Sequence, residues 1–421
     1  MQLGPFPLAE LRLDRLAAVW PEASPLLCLA GSGRYAIVAL CWREVPWSEV
    51  ATRPVTGAPL DAATPPFIRG YLGLVPYDLY APKRVGDVQA KPRVFRVEQA
   101  LVHDRQAGLL HVTGAPVASS GFTQVDAASI VSALVSPKGA LVPTGDALTL
   151  IPGGSDDAYE QRVGEVLEDI RAGRFYQLNL LRYFKVEQTP SRAWIGTRLG
   201  RFGGDFTAWF SLPDLQVVSF SPERFLRCAN DGAGTLVHAF PIKGTAARQL
   251  QDPGLDLAAA SALQCSTKDR AELHMIVDLM RHDLYGASVP GTVRVLHAGR
   301  LLSLASVHHL EAEVCATLRP GITIGALLAA VCPGGSITGA PKQEVMLAIR
   351  AYEGRSRGYF MGHAFYAADG GGFDSSILIR TLVQQGAGSF EYAAGGGLVI
   401  GSDPASERRE IAAKSRVVTL P

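Results

Sequence analysis

The 421-residue sequence has no apolar run near the ~20 residues that span a bilayer, because Gly, Arg or Pro breaks its longest apolar stretches early. A helical membrane anchor is therefore not expected. Residues 1–13 carry Pro5, Pro7 and Glu10 where a secretory signal needs a basic start and an apolar run, so no signal peptide is expected either. No one sign of charge dominates: 40 basic residues face 39 acidic ones, a formal net of +1. With no basic block and no aromatic–basic stripe, nucleic acid is not an expected partner. The six cysteines (Cys28, Cys41, Cys228, Cys265, Cys315, Cys332) include no CxxC pair. That scatter argues against a zinc site and for reduced thiols in a cytoplasmic compartment. Hydrophobic residues, at 48%, suffice for a sizeable core, so the chain reads as a soluble cytoplasmic globular protein.

Short β-type segments separated by turns fill the first part, for example residues 25–29, 35–41 and 109–112. Residues 114–146 shift to Ala, Ser, Gly and Pro, which reads as a linker ending near 153–155. A clear helix follows. Ser155 or Asp156 is placed as its N-cap, Val163, Val166, Leu167 and Ile170 fall at helical spacing, and Gly173 is placed to stop it. Residues 176–184 and 216–227 alternate like strands, and residues 268–284 and 404–417 form two more helices. The expected organisation is a region 1–150, with room for a regulatory pocket, and a motif-bearing region 151–421.

Two glycine-rich segments invite comparison with nucleotide loops. Gly334-Gly-Ser-Ile-Thr-Gly339-Ala-Pro-Lys342 has phosphate-loop glycine spacing, but Ala340-Pro341 separates the second glycine from Lys342 and no hydroxyl follows the lysine. Ala394-Gly-Gly-Gly-Leu-Val-Ile-Gly401 approaches a dinucleotide fingerprint, with its last glycine one position late. Each reads as a tight turn or as backbone N–H groups facing a small anion.

Carboxylates occupy positions where apolar residues are expected. In residues 268–284, Met275, Ile276, Leu279 and Met280 make a stripe that should bury, and Glu272 falls on it. A carboxylate there is driven to protonate unless a cation compensates it, although a Glu at that end could also reach solvent or pair with an arginine. After the helix start at Asp403-Pro404, Glu407, Glu410, Ile411 and Lys414 share one face. Solvated Glu–Lys pairing would also produce such a face. Two helices that both offer inward carboxylates point to a hard cation such as Mg²⁺ holding an anionic ligand.

Several segments taken in order resemble the chorismate-binding superfamily. They are Tyr176-Gln-Leu-Asn-Leu180, Ser221-Pro-Glu-Arg-Phe225, Pro241-Ile-Lys-Gly-Thr245, Asp269-Arg-Ala-Glu272 and Ile276-Val-Asp-Leu279. Val307-His-His-Leu310, the Pro333 to Lys342 loop, Asp374-Ser-Ser-Ile-Leu-Ile-Arg-Thr381 and Ala394-Gly-Gly-Gly397 with the helix after it complete the set. They cover residues 155–417, and the first 150 residues match only loosely. The resemblance implies an α+β fold: two large antiparallel sheets packed as a sandwich, with helices outside. By it, Glu272 and Glu410 hold Mg²⁺ against one chorismate carboxylate with Glu407 close by. Arg380, Lys414 and the N–H groups of Gly395, Gly396 and Gly397 take the other carboxylate. A dicarboxylate suits a metal, a guanidinium fork and backbone donors.

Two positions narrow what the resemblance implies. Water-adding members carry a lysine base where this chain has Gln177, as amine-adding members do. Anthranilate synthases typically have alanine at the position of Lys243, and members that aminate C4 have lysine. The implied route is covalent: Lys243 attacks C2 of chorismate as the C4 hydroxyl leaves, with Glu223 as general acid. Ammonia then enters at C4 and expels the lysine, giving 4-amino-4-deoxychorismate on the way to 4-aminobenzoate and folate. Thr245 and His309 lie near the ring. Lys243 could instead be an ordinary structural or carboxylate-binding lysine. Anthranilate formation, and a non-catalytic homologue that binds chorismate and Mg²⁺, are the alternatives. No cysteine has the setting of a glutaminase nucleophile, so a separate glutamine amidotransferase subunit in a heterodimer is the expected source of ammonia. The chain departs from the pattern at Phe360, where a tyrosine is usual, at Glu311-Ala312 and at His282.

Overall fold

Alternation along residues 26–40 sorts two adjacent strands onto opposite faces. Leu27, Leu29, Ile37 and Ala39 enter one core, whereas Leu26, Cys28, Ala36, Val38 and Leu40 enter another. A strand pair buried on both faces must be covered on both sides. The computed structural model, which describes residues 5–32, 34–59, 67–82, 89–136, 146–303 and 307–420, shows how.

Strands Tyr35–Val45 and Arg93–Asp104 are long, pair with each other and change register near Cys41, which lets them bend from one sheet into the next. On one side the ladder continues through Leu26–Ser32, Ala208–Ser211, Leu215–Ser219, Thr381–Gln385 and Glu391–Leu398 to Gln177–Val186. On the other it runs through Gly70–Val75, His363–Ala368, Phe373–Ile377, Arg224–Asn230 and Thr235–Ala239 to Val307–Thr317. Strand Val307–Thr317 also carries Ile242–Ala247 and Arg294–Ser303. These ladders are all antiparallel, as the α+β expectation requires, and the two sheets are arms of one continuous network sharing a core. In each arm a strand from before residue 150 pairs directly with one from after it, Leu26–Ser32 with Ala208–Ser211 and Gly70–Val75 with His363–Ala368.

Helices Asp156–Arg171, Arg192–Phe202 and Pro404–Thr419 lie against the second core. Ser155 caps the first of these, accepting from the Ala158 N–H at 3.1 Å, and Gly173 follows it at φ +77°. Among the described residues, no helix is long and apolar enough to cross a membrane.

Three local expectations are corrected. Residues 216–227 are not one strand: Ser221-Pro222 breaks the ladder, and the Ser221 hydroxyl accepts from the Glu223 N–H at 3.2 Å. The stretch 114–146 is not all linker, because Asp126 caps helix Ala127–Val135, which buries Ile130, Val131 and Leu134; residues 137–145 lie outside the described residues. In helix Thr267–Tyr285 the buried stripe is Leu273, Ile276, Val277, Met280 and Leu284, with Met275 and Leu279 half-buried.

Candidate active site

Lys243 lies on strand Ile242–Ala247, where the register shifts at Gly244. Gly244 has φ +67°, and a Cβ there would stand 2.9 Å from Leu263 Cδ1 and 3.1 Å from Asp269 Cβ. Backbone and space both select glycine, and the bulge sets Lys243 opposite Leu310 and Thr245 opposite His309. The Lys243 amine donates to the Ser336 carbonyl at 3.4 Å. Burial pushes its pKa below the ordinary lysine value and the Lys414 charge adds to this, against Glu272, Glu223 and Glu410.

Glu223 sits in the break between two strands and is buried. Desolvation pushes its carboxyl up to about 7, against the Ser336 hydroxyl, which donates to Oε1 at 2.9 Å, and the charges of Lys243 and Arg380. Such a carboxyl can hold a proton at neutral pH and release it.

Arg380 has φ +51°, a left-handed conformation that costs a non-glycine residue about 1 kcal/mol. Its guanidinium is desolvated, which lowers its pKa, and Nη2 lies 3.5 Å from His309 Nε2. Among the described residues no carboxylate is ion-paired with it, which leaves its donors open to an anion. The tautomer of His309 follows from its partners. Nδ1 lies 2.8 Å from the Gly244 carbonyl, which only accepts, so Nδ1 carries the proton and Nε2 faces Arg380. Burial lowers the ring pKa to about 4, keeping it neutral. The Thr245 hydroxyl lies 3.2 Å from the same Nδ1.

Strand Glu391–Leu398 places Gly397 opposite Asn179 and Gly396 opposite Leu180. A Cβ on Gly396 would stand 3.1 Å from Glu407 Oε2 and 3.7 Å from both Glu410 Oε1 and Lys414 Nζ. One on Gly397 would stand 2.8 Å from Gln177 Nε2 and 3.1 Å from Lys243 Nζ. The bare backbone thus gathers the charged face of helix Pro404–Thr419, Gln177 and Lys243. Lys414 donates to the Gly395 carbonyl and pairs with Glu410, both at 2.7 Å. Both amide atoms of Gln177 are buried without a hydrogen-bond partner, an arrangement that calls for a ligand.

Glu407 is buried in the first turn of its helix and accepts from the Ser402 hydroxyl at 2.6 Å. Burial raises its pKa and Glu410 adds to this, whereas Lys414 lowers that of Glu410. Burial also raises the pKa of Glu272, against Lys243 and Lys268, with Asp269 and Glu407 adding to the rise. Among the described residues no three His, Cys, Asp or Glu side chains are already gathered as a metal cage.

Contacts and charge coupling therefore join the residues singled out from sequence into one cluster around Lys243. Lys342 stands apart, paired with Asp283 and donating to the Val331 carbonyl at 3.1 Å. Phe360 packs edge-on against Tyr183 at 5.8 Å, and the Tyr359 hydroxyl is committed to the Lys91 carbonyl at 2.7 Å. Ser336, which touches both Lys243 and Glu223, was not singled out; within its loop it reads only as a turn residue.

Residues 35–419 match the family of chorismate binding enzymes. The chain is 38% identical over 253 residues to aminodeoxychorismate synthase component 1 of Salmonella typhimurium, covering 60% of this chain and 54% of that protein. It thus spans about half the length of that relative. It is 34% identical over 359 residues to the component 1 of Klebsiella aerogenes, covering 82% and 75%. Among solved structures, anthranilate synthase component I of Streptococcus pneumoniae superposes with a TM-score of 0.73 at 23% identity over 92% of each chain. The menaquinone-specific isochorismate synthase of Escherichia coli gives 0.71 at 19% identity over 100% of this chain and 94% of its own. At those identities the likeness is one of fold.

Proposed function

The chain belongs to the chorismate binding enzyme family, and from that premise we propose that it acts as an aminodeoxychorismate synthase, converting chorismate and ammonia to 4-amino-4-deoxychorismate. The observation that carries the reading is the Lys243 amine. It is desolvated, faces the acid Glu223 across Ser336, and lies beside a glutamine rather than a second base.

Arg380, Lys414 and the backbone of Gly395 to Gly397 bind one carboxylate of chorismate. Glu272 and Glu410, with Glu407 beside them, supply oxygen donors whose mutual repulsion and burial fit a hard divalent cation, with ligand and water oxygens completing its sphere. Mg²⁺ bound there would neutralise the second carboxylate. The neutral Lys243 amine attacks C2, the ring double bonds shift, and the C4–O bond breaks as Glu223 protonates the departing hydroxyl. Ammonia then attacks C4, the double bonds shift back, and the C2–N bond to Lys243 breaks; the Glu223 carboxylate takes the proton that the new amine sheds. Neutral His309 and Thr245 line the ring, and Gln177 offers an amide but no base.

Because the first step needs neutral Lys243 and protonated Glu223, kcat/KM for chorismate at saturating free ammonia should trace a bell with one limb near pH 7. A profile flat between about pH 6 and 8 would remove Glu223 from the acid role.

Ammonia is supplied by a separate glutamine amidotransferase subunit. Burial raises the pKa of five of the cysteines, the wrong direction for a thiolate nucleophile, and the exposed Cys265 ends a helix. Buried, unpaired thiols also suit a reducing cytoplasm. The purified chain should turn over chorismate with ammonium but not with glutamine, followed by product formation with and without an added amidotransferase. Glutamine-dependent turnover by the homogeneous chain alone would contradict this.

A further inference from the structure

Ser336 sits in the short turn Gly335–Ile337 with 9% of its surface exposed. Its hydroxyl donates to Glu223 Oε1 at 2.9 Å, and its carbonyl accepts from Lys243 Nζ at 3.4 Å. A single residue thus bridges the acid and the nucleophile.

The turn is held from beneath. Arg357 donates from Nη1 to the Ile337 carbonyl and from Nη2 to the Asn179 carbonyl, both at 2.8 Å. The Asn179 N–H donates to the Thr338 carbonyl at 2.7 Å, and the Thr338 hydroxyl to the Gly334 carbonyl at 2.9 Å. Arg357 pairs with Glu353 at 2.6 Å, their side chains 1% and 0% exposed. Glu353 also accepts from the Leu181 N–H at 3.0 Å and the Tyr183 hydroxyl at 2.8 Å. A buried pair so fully satisfied is rigid, because moving either charge leaves the other unpaired in a desolvated interior. The ion pair therefore ties the turn to the strand that carries Gln177.

We propose that Ser336, locked by the buried Glu353–Arg357 pair, is a positioning residue whose hydroxyl orients the Glu223 carboxyl and whose carbonyl orients the Lys243 amine against the same substrate. This goes beyond the proposed function and rests on it. A hydroxyl that donates to a carboxylate favours the charged form, so without it Glu223 keeps its proton to higher pH. The charges that face Glu223, Lys243 and Arg380, and its backbone bond to Ile242 are left in place by a change at Ser336.

The test compares full-length Ser336→Ala and Ser336→Thr with wild type, using chorismate, Mg²⁺ and saturating free ammonia, with melting curves to confirm folding. Ser336→Ala should lower kcat about 10- to 100-fold, with KM for chorismate within about twofold. The limb near pH 7 should move to higher pH. Ser336→Thr keeps the hydroxyl and should restore both kcat and the limb. Wild-type kcat and an unmoved limb in Ser336→Ala, or equal impairment by Ala and Thr, would overturn the inference while leaving the function standing. A wild-type chain that forms no amino product would overturn the functional reading, and this inference with it.

Discussion

Lys243→Ala should lower chorismate turnover by on the order of 1,000-fold or more, because a covalent nucleophile has no substitute in the site. Lys243→Arg should be as inactive. Arginine keeps the charge but is always protonated, so it can bind a carboxylate and cannot attack carbon. The pair of variants separates the two roles open to a half-buried lysine: rescue by arginine would mean carboxylate binding, and loss in both means nucleophilic attack. Wild-type enzyme given chorismate and Mg²⁺ without ammonia should also gain a chorismate-derived mass on a peptide containing Lys243. Turnover of Lys243→Ala at the wild-type rate would remove the nucleophile from the account.

Glu272→Gln and Glu410→Gln should each cut turnover by at least ~100-fold and raise the Mg²⁺ concentration needed for half-maximal rate, since each removes one anionic donor from a hard cation. Their environments differ, which makes the comparison informative. The pKa of Glu272 is raised by burial against Lys243 and Lys268, so its loss also removes a charge that opposes the lowering of the Lys243 pKa. Glu410 is held ionised by Lys414 at 2.7 Å, so its loss frees a lysine that also reaches the Gly395 carbonyl. Mg²⁺ titrations that match wild type in both variants would place these carboxylates outside the metal's reach.

The chemistry of the site was more legible in the sequence than its geometry. Caps at Ser155 and Asp403 and the helices they start follow from local rules, as side chain to N–H bonds within a few residues. Gln177 and Gly397 are neighbours only because two strands some 200 residues apart pair in one register, a fact no local pattern carries. The order of motifs substituted for that information. Where neither locality nor motif applied, the reading failed for physical reasons. Leu279 looked core-facing in helix Thr267–Tyr285, but the helix buries its Leu273 and Val277 side and turns Leu279 toward Gly335. Glu353 and Arg357, four residues apart, were not singled out, because nothing in the sequence separates them from a solvated pair. They are instead the least exposed ion pair among the described residues, because a strand, a turn and the Tyr77 ring close over them. Ser336 lies inside the Pro333 to Lys342 motif but nothing there marks it individually, since a serine in a glycine-rich turn is what any turn would contain.

The most direct test of the central claim is where the nitrogen lands. With chorismate, isotopically labelled ammonium and Mg²⁺, a nitrogen–proton correlation spectrum of the product should place the label on C4 of a ring that still carries its enolpyruvyl ether. A label on C2, with or without collapse to anthranilate, would contradict the account, because attack by Lys243 at C2 and departure of the C4 hydroxyl leave C4 as the position open to ammonia.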